Sequence, residues 1–427
     1  MHPKTAARQL ALRALVQSEN RDLVAPDFRD LDASVRPFAR EIYSGTQRWR
    51  AKLDWTLAPL LSKPLAKIDA PVRAALRLAA YEKLVLNTPP HGFVGEYAGL
   101  MRDERKTSAV GFVNAILRRL PDNWRALPPD LAQRLSIEFS HPQWLVQRYL
   151  KNLGEAETTA LLGANNERAP LCLRTNTLRI SRDELLRELP NARPGLLSPD
   201  AIYVEASDPT RLSGWDDGLF FAQDEAAQMV ALHASPAPGQ TLLDLAGAPG
   251  GKSTHCAQLM RNQGRIVSVD LAPGRLKLVR ENAARLGISI IETRAGDGRE
   301  LAPQLERADV VLLDAPCLGT GTLRRRPDAK WRKTPAMLSE LVALQRELLD
   351  AAATLVRPGG SLVYSTCSLE PEENAEQARA FTSRSGWPIE AAPAWMKDIQ
   401  TEEGWLQTWP QRDGCDGMFA AKWRRPN

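Results

Sequence analysis

The chain is short of aromatics (6% of 427 residues), has only five cysteines and five histidines, and carries no long apolar run. Each shortage excludes something. No uninterrupted apolar stretch reaches the roughly 18 residues that a membrane-spanning helix needs. The opening MHPKTAARQLALRALVQSEN is amphipathic and mixed in charge, without the apolar centre of a secretory signal. A cytoplasmic protein with no membrane partner is therefore expected. Cys172, Cys256, Cys317, Cys367 and Cys415 are odd in number, far apart, and form no CxxC pair. That spacing speaks against a disulfide framework and against a zinc cluster, so no metal is expected. With 43% hydrophobic and 25% charged residues, the composition is that of a folded globular protein.

What is present points to two or three domains, since the length exceeds what one core accommodates. Charge is unevenly placed. Residues 1–150 hold 23 Lys+Arg against 15 Asp+Glu, and the rest of the chain 33 against 36. This is either the solvated surface of a helical domain or a basic module that helps hold a polyanion. The first 120 residues do read as helical. Residues 6–16 place Leu12, Leu15 and Val16 on one face, 71–87 do the same with Val72, Leu76 and Ala79, and 111–120 is a third apolar helix. Proline-rich breaks at 121–130 mark a boundary, with the first domain assigned to 1–140. A small mixed segment follows, assigned to 141–235. It has a strand at 171–176, a capping-box spacing at Ser181 and Glu184, and a strand running into a helix at 220–230.

From Pro236-Ala237-Pro238-Gly239 onward, over 236–427, short apolar strands alternate with helices. The strands are expected at 241–246, 265–270, 289–294, 309–314 and 361–366, and near-continuous apolar runs fit a parallel sheet covered on both faces. Thr334-Pro335 opens a long helix that ends before Pro358. This is a doubly wound, Rossmann-type α/β domain, whose ligands bind beyond the carboxyl ends of the strands.

The loop after the first of these strands runs Asp244-Leu245-Ala246-Gly247-Ala248-Pro249-Gly250-Gly251-Lys252-Ser253-Thr254. Small residues let the backbone approach a ligand closely, and the helix that follows offers unpaired N–H groups. Residues 246–253 match a relaxed phosphate loop with Ala in place of the first Gly, and 310–314 could be the metal-binding strand of an NTPase. Against that reading, the first glycine is missing and Pro249 stiffens a loop whose N–H groups should wrap a phosphate. Asp270 closes the second strand, where an acid grips ribose hydroxyls of a nucleoside cofactor. Asp297, after the third strand, can reach an adenine amine. Either Asp alone reads as an ordinary helix cap; two at successive strand ends read better as a binding edge.

Asp314-Ala315-Pro316-Cys317 and Ser365-Thr366-Cys367 each put a cysteine just past a buried strand, at that same edge. A lone buried cysteine, such as Cys172 or Cys256, is ordinarily an apolar filler. Two beside an aspartate suit methylation of cytosine at carbon 5. That carbon is too weakly nucleophilic to attack a methyl sulfonium unaided. A thiolate adding at carbon 6 makes it enamine-like, and an acid at ring N3 supports the addition. Cys367, Asp314 and Cys317 can supply the thiol, the acid and the base. The residues themselves do not say which thiol attacks, and in the DNA cytosine-5 methyltransferases it is the one after proline. An NTPase, and a non-catalytic RNA-binding protein that keeps the fold, are the other readings.

Taken together the motifs resemble the Sun family of bacterial RNA cytosine-5 methyltransferases, in its RsmB type, over nearly the whole chain. RLAAYEKLVLNTPPHGFVGEYAGL and AVGFVNAILRRL look like the NusB-like helical domain of that family. LCLRTNTL, FFAQDEAAQ, DLAGAPGGKST, VSVD, GDGRE, DAPCLGTGTLRRRPDAKW, YSTCSLEPEEN and DGMFAAKW then follow in the family's order. The resemblance implies a NusB-like RNA-binding domain, a small α+β RNA-recognition-like module and a Rossmann-type methyltransferase domain. It implies S-adenosylmethionine as cofactor and 16S ribosomal RNA as substrate, taken during small-subunit assembly; a monomer is expected. By the same resemblance Ala246, Gly247, Ala248, Pro249, Gly250, Gly251, Lys252, Asp270, Asp297 and Asp314 form the cofactor site, Cys367 is the nucleophile and Cys317 assists product release. Where this chain has Ala246-Gly247, the family usually has Cys-Ala.

Overall fold

The three helices expected near the N-terminus form as Pro3–Ser18, Ala70–Leu84 and Val110–Arg118. The computed structural model describes residues 3–19, 28, 30–206 and 208–427, so Met1, His2 and Asn20 of the opening stretch lie outside the described residues. Two compact units result: Met1–Glu167 with Leu323–Lys333, and Arg168–Thr322 with Thr334–Asn427. No helix among the described residues is long and apolar enough to cross a membrane.

The first unit is all-helical and built around Ala70–Leu84. Ala75, Leu76, Leu78, Ala79 and Ala80 are each fully buried, as in a helix surrounded on every side. Close approach requires a glycine: a Cβ on Gly45 would fall 2.0 Å from the Tyr81 ring. The charges this core swallows are paired. Arg8 donates to both oxygens of Glu82, at 2.8 and 2.7 Å, and Tyr97 donates to Glu82 Oε1 at 2.7 Å. Leu323–Lys333 also belongs to this unit. Trp331 Nε1 donates to the Gln47 carbonyl at 2.7 Å, and the buried Lys330 Nζ to the Arg48 carbonyl at 3.1 Å and to Asn166 Oδ1 at 3.3 Å. Burial drives the Lys330 ammonium well below the ordinary lysine range.

The second unit begins with a four-stranded antiparallel sheet of β1 (Leu171–Thr175), β2 (Arg193–Pro194), β3 (Ala201–Val204) and β4 (Phe220–Ala222), in the order β2-β3-β1-β4. The expected capping box is there: Ser181 Oγ accepts from the Glu184 N–H at 3.3 Å, and the Glu184 carboxylate reaches back to the Ser181 N–H at 3.0 Å.

A seven-stranded sheet follows, made of β5 (Thr241–Asp244), β6 (Arg265–Asp270), β7 (Ile291–Ala295), β8 (Ala308–Asp314), β9 (Val356–Thr366), β10 (Leu406–Gln407) and β11 (Phe419–Arg424). Its order is β10-β11-β9-β8-β5-β6-β7. The five strands expected from sequence are β5 to β9 and run parallel, while β11 pairs antiparallel with β9 and β10 antiparallel with β11. Strand alternation sends Leu242, Ile266, Val310 and Leu312 into one apolar layer and Leu243, Val267, Val311 and Leu313 into the other. Both faces are covered, which is why these strands read as apolar runs rather than alternating ones. Thr334 caps the helix Pro335–Thr354 by accepting from the Met337 N–H at 3.3 Å. The following strand starts earlier than expected, taking in Pro358, Gly359 and Gly360.

Candidate active site

The carboxyl ends of β5, β6, β8 and β9 carry Asp244, Asp270, Asp314 and the Thr366-Cys367 step. In the parallel β8–β9 pair Asp314 stands opposite Ser365, so their side chains share a face. Ser365 Oγ donates to Asp314 Oδ1 at 2.8 Å. The other carboxylate oxygen accepts from Lys252 Nζ at 2.7 Å, and Lys252 comes from the first turn of the helix Gly251–Leu259. Just beyond the two strands the Sγ atoms of Cys317 and Cys367 lie 3.4 Å apart, not joined in a disulfide.

The charges around this cluster act on its titratable groups. The hydrogen bond to Cys367 and burial push the Cys317 thiol well above the ordinary range, and the neighbouring charges of Cys367, Glu373 and Asp314 add to this. The close contact and burial thus favour Cys317 as a thiol. Burial works against the Lys252 ammonium, but Asp314 outweighs it and holds Lys252 above the ordinary lysine range, with Cys367 contributing in the same direction. Asp244, fully buried, is pushed up to about 6 by burial, although it accepts from Ser253 Oγ at 2.6 Å. The backbone around the thiols is tightly packed. The Gly321 N–H donates to the Cys367 carbonyl at 2.9 Å, and a Cβ on Gly321 would fall 2.0 Å from the Gly417 carbonyl oxygen. The Gly417 N–H donates in turn to the Gly321 carbonyl at 2.8 Å, which brings two of the sequence motifs together.

Beside the cluster a cavity of about 190 Å³ is lined by Ala246, Gly247, Ala248, Pro249, Gly251 and Lys252 of the loop, by Asp244 and Asp314, and by Phe221, Ala222 and Gln223 of β4 and its end, with Ala227. Gly250 turns the chain into the helix with φ +99° without lining the cavity. Gly247 has no room for a side chain, because a Cβ would meet Ser268 Oγ at 2.1 Å. Asp270 lies outside the cavity wall, its Oδ1 accepting from the Ala272 N–H at 3.0 Å and its Oδ2 facing Arg275 at 3.3 Å. Arg275 also donates to the Ala248 carbonyl at 2.6 Å, tying that acid to the loop. Asp297 is the N-cap of the short helix Gly298–Leu301, and its carboxylate is wrapped by Arg299, which holds it below the usual range.

Sequence reasoning brought Lys252, Asp314, Cys317 and Cys367 forward, and they come together. It missed Ser365 and Ser253, whose roles depend on register, and the cavity wall from Phe221 to Gln223. It also missed Arg174, a fully buried guanidinium that donates to the Gly251 carbonyl at 2.7 Å, to Thr254 Oγ1 at 3.0 Å and to Gln223. The signal for Arg174 was an arginine inside an otherwise apolar strand, an arrangement that demands buried acceptors.

The sheet with its antiparallel edge and the loop at the end of β5 define a Rossmann-like methyltransferase core. The family model described as 16S rRNA methyltransferase RsmB/F matches residues 231–424, that of the NusB family 5–122, and that of the ferredoxin-like domain of RsmF/B-like methyltransferases 141–210. Ribosomal RNA small subunit methyltransferase B of Pseudomonas putida is 35% identical over 430 residues, covering 99% of this chain and 98% of that protein. The crystal structure of PH0851 matches with a TM-score of 0.86 at 27% identity, over 100% of this chain and 99% of its own. A methyltransferase homologue from Pyrococcus horikoshii matches with a TM-score of 0.61 at 26% identity, over 70% of this chain and 100% of its own. The chain belongs to the RsmB/F family of 16S rRNA methyltransferases.

The cofactor is S-adenosylmethionine, and the residues present fit it. The charged groups lining the cavity are two carboxylates, Asp244 and Asp314, and one ammonium, Lys252. That balance favours a ligand carrying a positive sulfonium. Phe221 offers an apolar wall, and the small residues of the loop let a ligand reach the backbone.

Proposed function

We propose that this protein methylates carbon 5 of a cytosine in 16S ribosomal RNA through a covalent bond between Cys367 Sγ and ring carbon 6, resolved by Cys317. The observation that carries the reading is the pair of sulfurs 3.4 Å apart beside an aspartate tied to a lysine. Cys367 is the attacking thiol in this reading, supported by the hydrogen bond and burial that raise Cys317 above the ordinary thiol range and by the Lys252 charge that acts on Cys367. Asp314, fixed by Ser365 on one oxygen and Lys252 on the other, passes a proton from the ammonium to cytosine N3 as the carbon 6–sulfur bond forms. S-adenosylmethionine, when bound, supplies an electrophilic methyl group. Residues 246–252 would hold its methionyl and sulfonium part, Asp270 its ribose hydroxyls and Asp297 its adenine amine. Cys317 then takes the carbon 5 proton, the carbon–sulfur bond to Cys367 breaks with its electron pair on sulfur, and the N3 proton returns through Asp314 to Lys252.

The RNA is taken during small-subunit assembly, with the basic helices of residues 1–150 adding phosphate contacts. Denaturing electrophoresis after incubation with substrate RNA and cofactor tests the chemistry. Cys317→Ala should accumulate a protein–RNA species that survives denaturation, and Cys367→Ala should form none and lose turnover. The opposite pattern reverses the two sulfurs; no adduct in either variant ends the covalent route.

A further inference from the structure

Cys317 sits on a loop, yet its peptide neighbours are gripped on both sides by one buried pair. The Leu318 N–H donates to Glu373 Oε1 at 2.8 Å, and Gln345 Nε2 donates to the Pro316 carbonyl at 2.9 Å. Gln345 Nε2 also donates to Glu373 Oε1, at 2.8 Å, which joins the two grips. Both side chains are completely buried. Gln345 comes from the middle of the helix Pro335–Thr354, and Glu373 from the turn Pro371–Glu373, six residues beyond Cys367. The backbone of that turn is itself held, since Tyr364 Oη donates to the Glu373 carbonyl at 2.6 Å. The turn after one cysteine therefore clamps the loop that carries the other. A buried carboxylate is expensive to keep merely as a loop anchor, because an amide could accept the same two hydrogen bonds without the desolvation cost.

We propose that Glu373, with Gln345, is a positioning residue for Cys317, fixing its sulfur against Cys367 and using the carboxylate charge to keep it a thiol until product release. The inference rests on the function proposed above. Around Cys317 the groups that titrate or carry charge are Cys367 beyond β9, Asp314 at the end of β8, Glu373 on its turn and Tyr364 within β9. Lys252 acts on Asp314 and Cys367 from the helix Gly251–Leu259. The charges of Cys367, Glu373 and Asp314 that act on Cys317 are negative and favour its thiol over its thiolate, so it does not compete with Cys367 for carbon 6. Once Cys367 is bound to carbon its negative charge is gone and the thiol of Cys317 can lose its proton to solvent. The resulting thiolate removes the proton from carbon 5, that electron pair forms the carbon 5–carbon 6 double bond, and the carbon–sulfur pair leaves with Cys367. The pair is then back to one thiol and one thiolate.

The test is the decay of the denaturation-resistant adduct against pH, in the full-length protein, with calorimetric binding of S-adenosylmethionine as the check on folding. Glu373→Gln keeps the acceptor and removes the charge, so the pH at which release is half-maximal should fall by roughly one unit. Gln345→Ala removes the hold on Pro316 and should slow release roughly tenfold at every pH, leaving that midpoint in place. An unmoved midpoint in Glu373→Gln, or normal release in Gln345→Ala, overturns the proposal. Should Glu373→Gln fail to fold, Gln345→Ala decides alone. A Cys317→Ala variant that releases product at the normal rate would instead defeat the proposed function, which separates the two failures.

Discussion

Removing the carboxylate of Asp270 is the most direct probe of the cofactor site. Asp270 is 5% exposed at the end of β6, and its two oxygens already have neighbours, the Ala272 N–H at 3.0 Å and Arg275 at 3.3 Å. A ribose bound there would add one or two hydrogen bonds to an ionised acceptor, each worth about 1.5–3 kcal/mol net. Arg275 already draws on that charge, so the two bonds do not add in full. Asp270→Ala should then weaken S-adenosylmethionine binding by about 1.5–3 kcal/mol, a roughly ten- to 150-fold rise in Kd. Asp270→Asn keeps an acceptor and the turn to Ala272, and should lie at the small end of that range. The Ala variant also loses the Ala272 hydrogen bond, at a cost of about 1 kcal/mol in stability, so thermal unfolding must accompany the titration. Isothermal calorimetry reads the affinity directly. An unchanged Kd in a folded Asp270→Ala protein would remove this acid from the site.

Three further outcomes follow from the geometry. Asp244, pushed up to about 6 by burial, contributes stability that is fully present below its unfolded pKa near 4 and lost as pH rises through about 6. Asp244→Asn should therefore be more stable than the parent at pH 7.5 by an amount on the order of 3 kcal/mol, and no different at pH 3.5; a gap that does not change with pH would refute this. Arg174→Leu strands the Gly251 carbonyl, Thr254 Oγ1 and Gln223 without their donor. Urea unfolding should show a loss of about 2–4 kcal/mol, and a loss below 1 kcal/mol would show that this anchor is dispensable. Arg118 and Arg119 are exposed at the end of the helix Val110–Arg118. Changing both to Gln should flatten the slope of log K for RNA against log salt by about 0.7–0.9 per lost phosphate contact, and an identical slope would make them a solvated face only.

The parallel part of the sheet was legible because strands buried on both faces leave apolar runs, and runs such as 309–314 are hard to read otherwise. The cluster was legible because Asp314, Cys317 and Cys367 sit at strand ends, where chain order alone places them on one edge. What lay beyond reach depended on register or on distant partners. Ser365 reads as one more small residue in a strand until β8 and β9 are aligned and it stands opposite Asp314. Strand β11, at Phe419–Arg424, alternates weakly because both its faces are buried, and its antiparallel course is set by pairing with β9. Leu323–Lys333 takes in the second half of the motif DAPCLGTGTLRRRPDAKW, and nothing local signals that Trp331 and Lys330 find their partners in the helical unit. Glu373 reads as one acid among several in a polar turn, because burial is a property of the folded chain.

The loop at 246–253 read two ways in sequence, and the charge of its surroundings separates them. A phosphate loop must present positive charge to a polyanion, with its lysine extended onto the phosphates and the strand aspartate reserved for the metal. Here Lys252 Nζ is 2.7 Å from Asp314 Oδ2, and the pair neutralises itself. To serve a phosphate, Lys252 would have to leave a carboxylate whose other oxygen is held by the Ser365 hydroxyl, exposing that charge to the incoming anion. Asp244, at the end of the strand before the loop, adds a second acid to the same cavity. A polyanion would meet two carboxylates there with one committed ammonium between them. A sulfonium meets the same groups with the sign reversed, so the ion pair that disables the loop for phosphate suits it to a cationic methyl donor. The lysine of the motif thus serves another purpose. It is paired with Asp314 and acts on Cys367, so its charge is committed to the cluster at the strand ends.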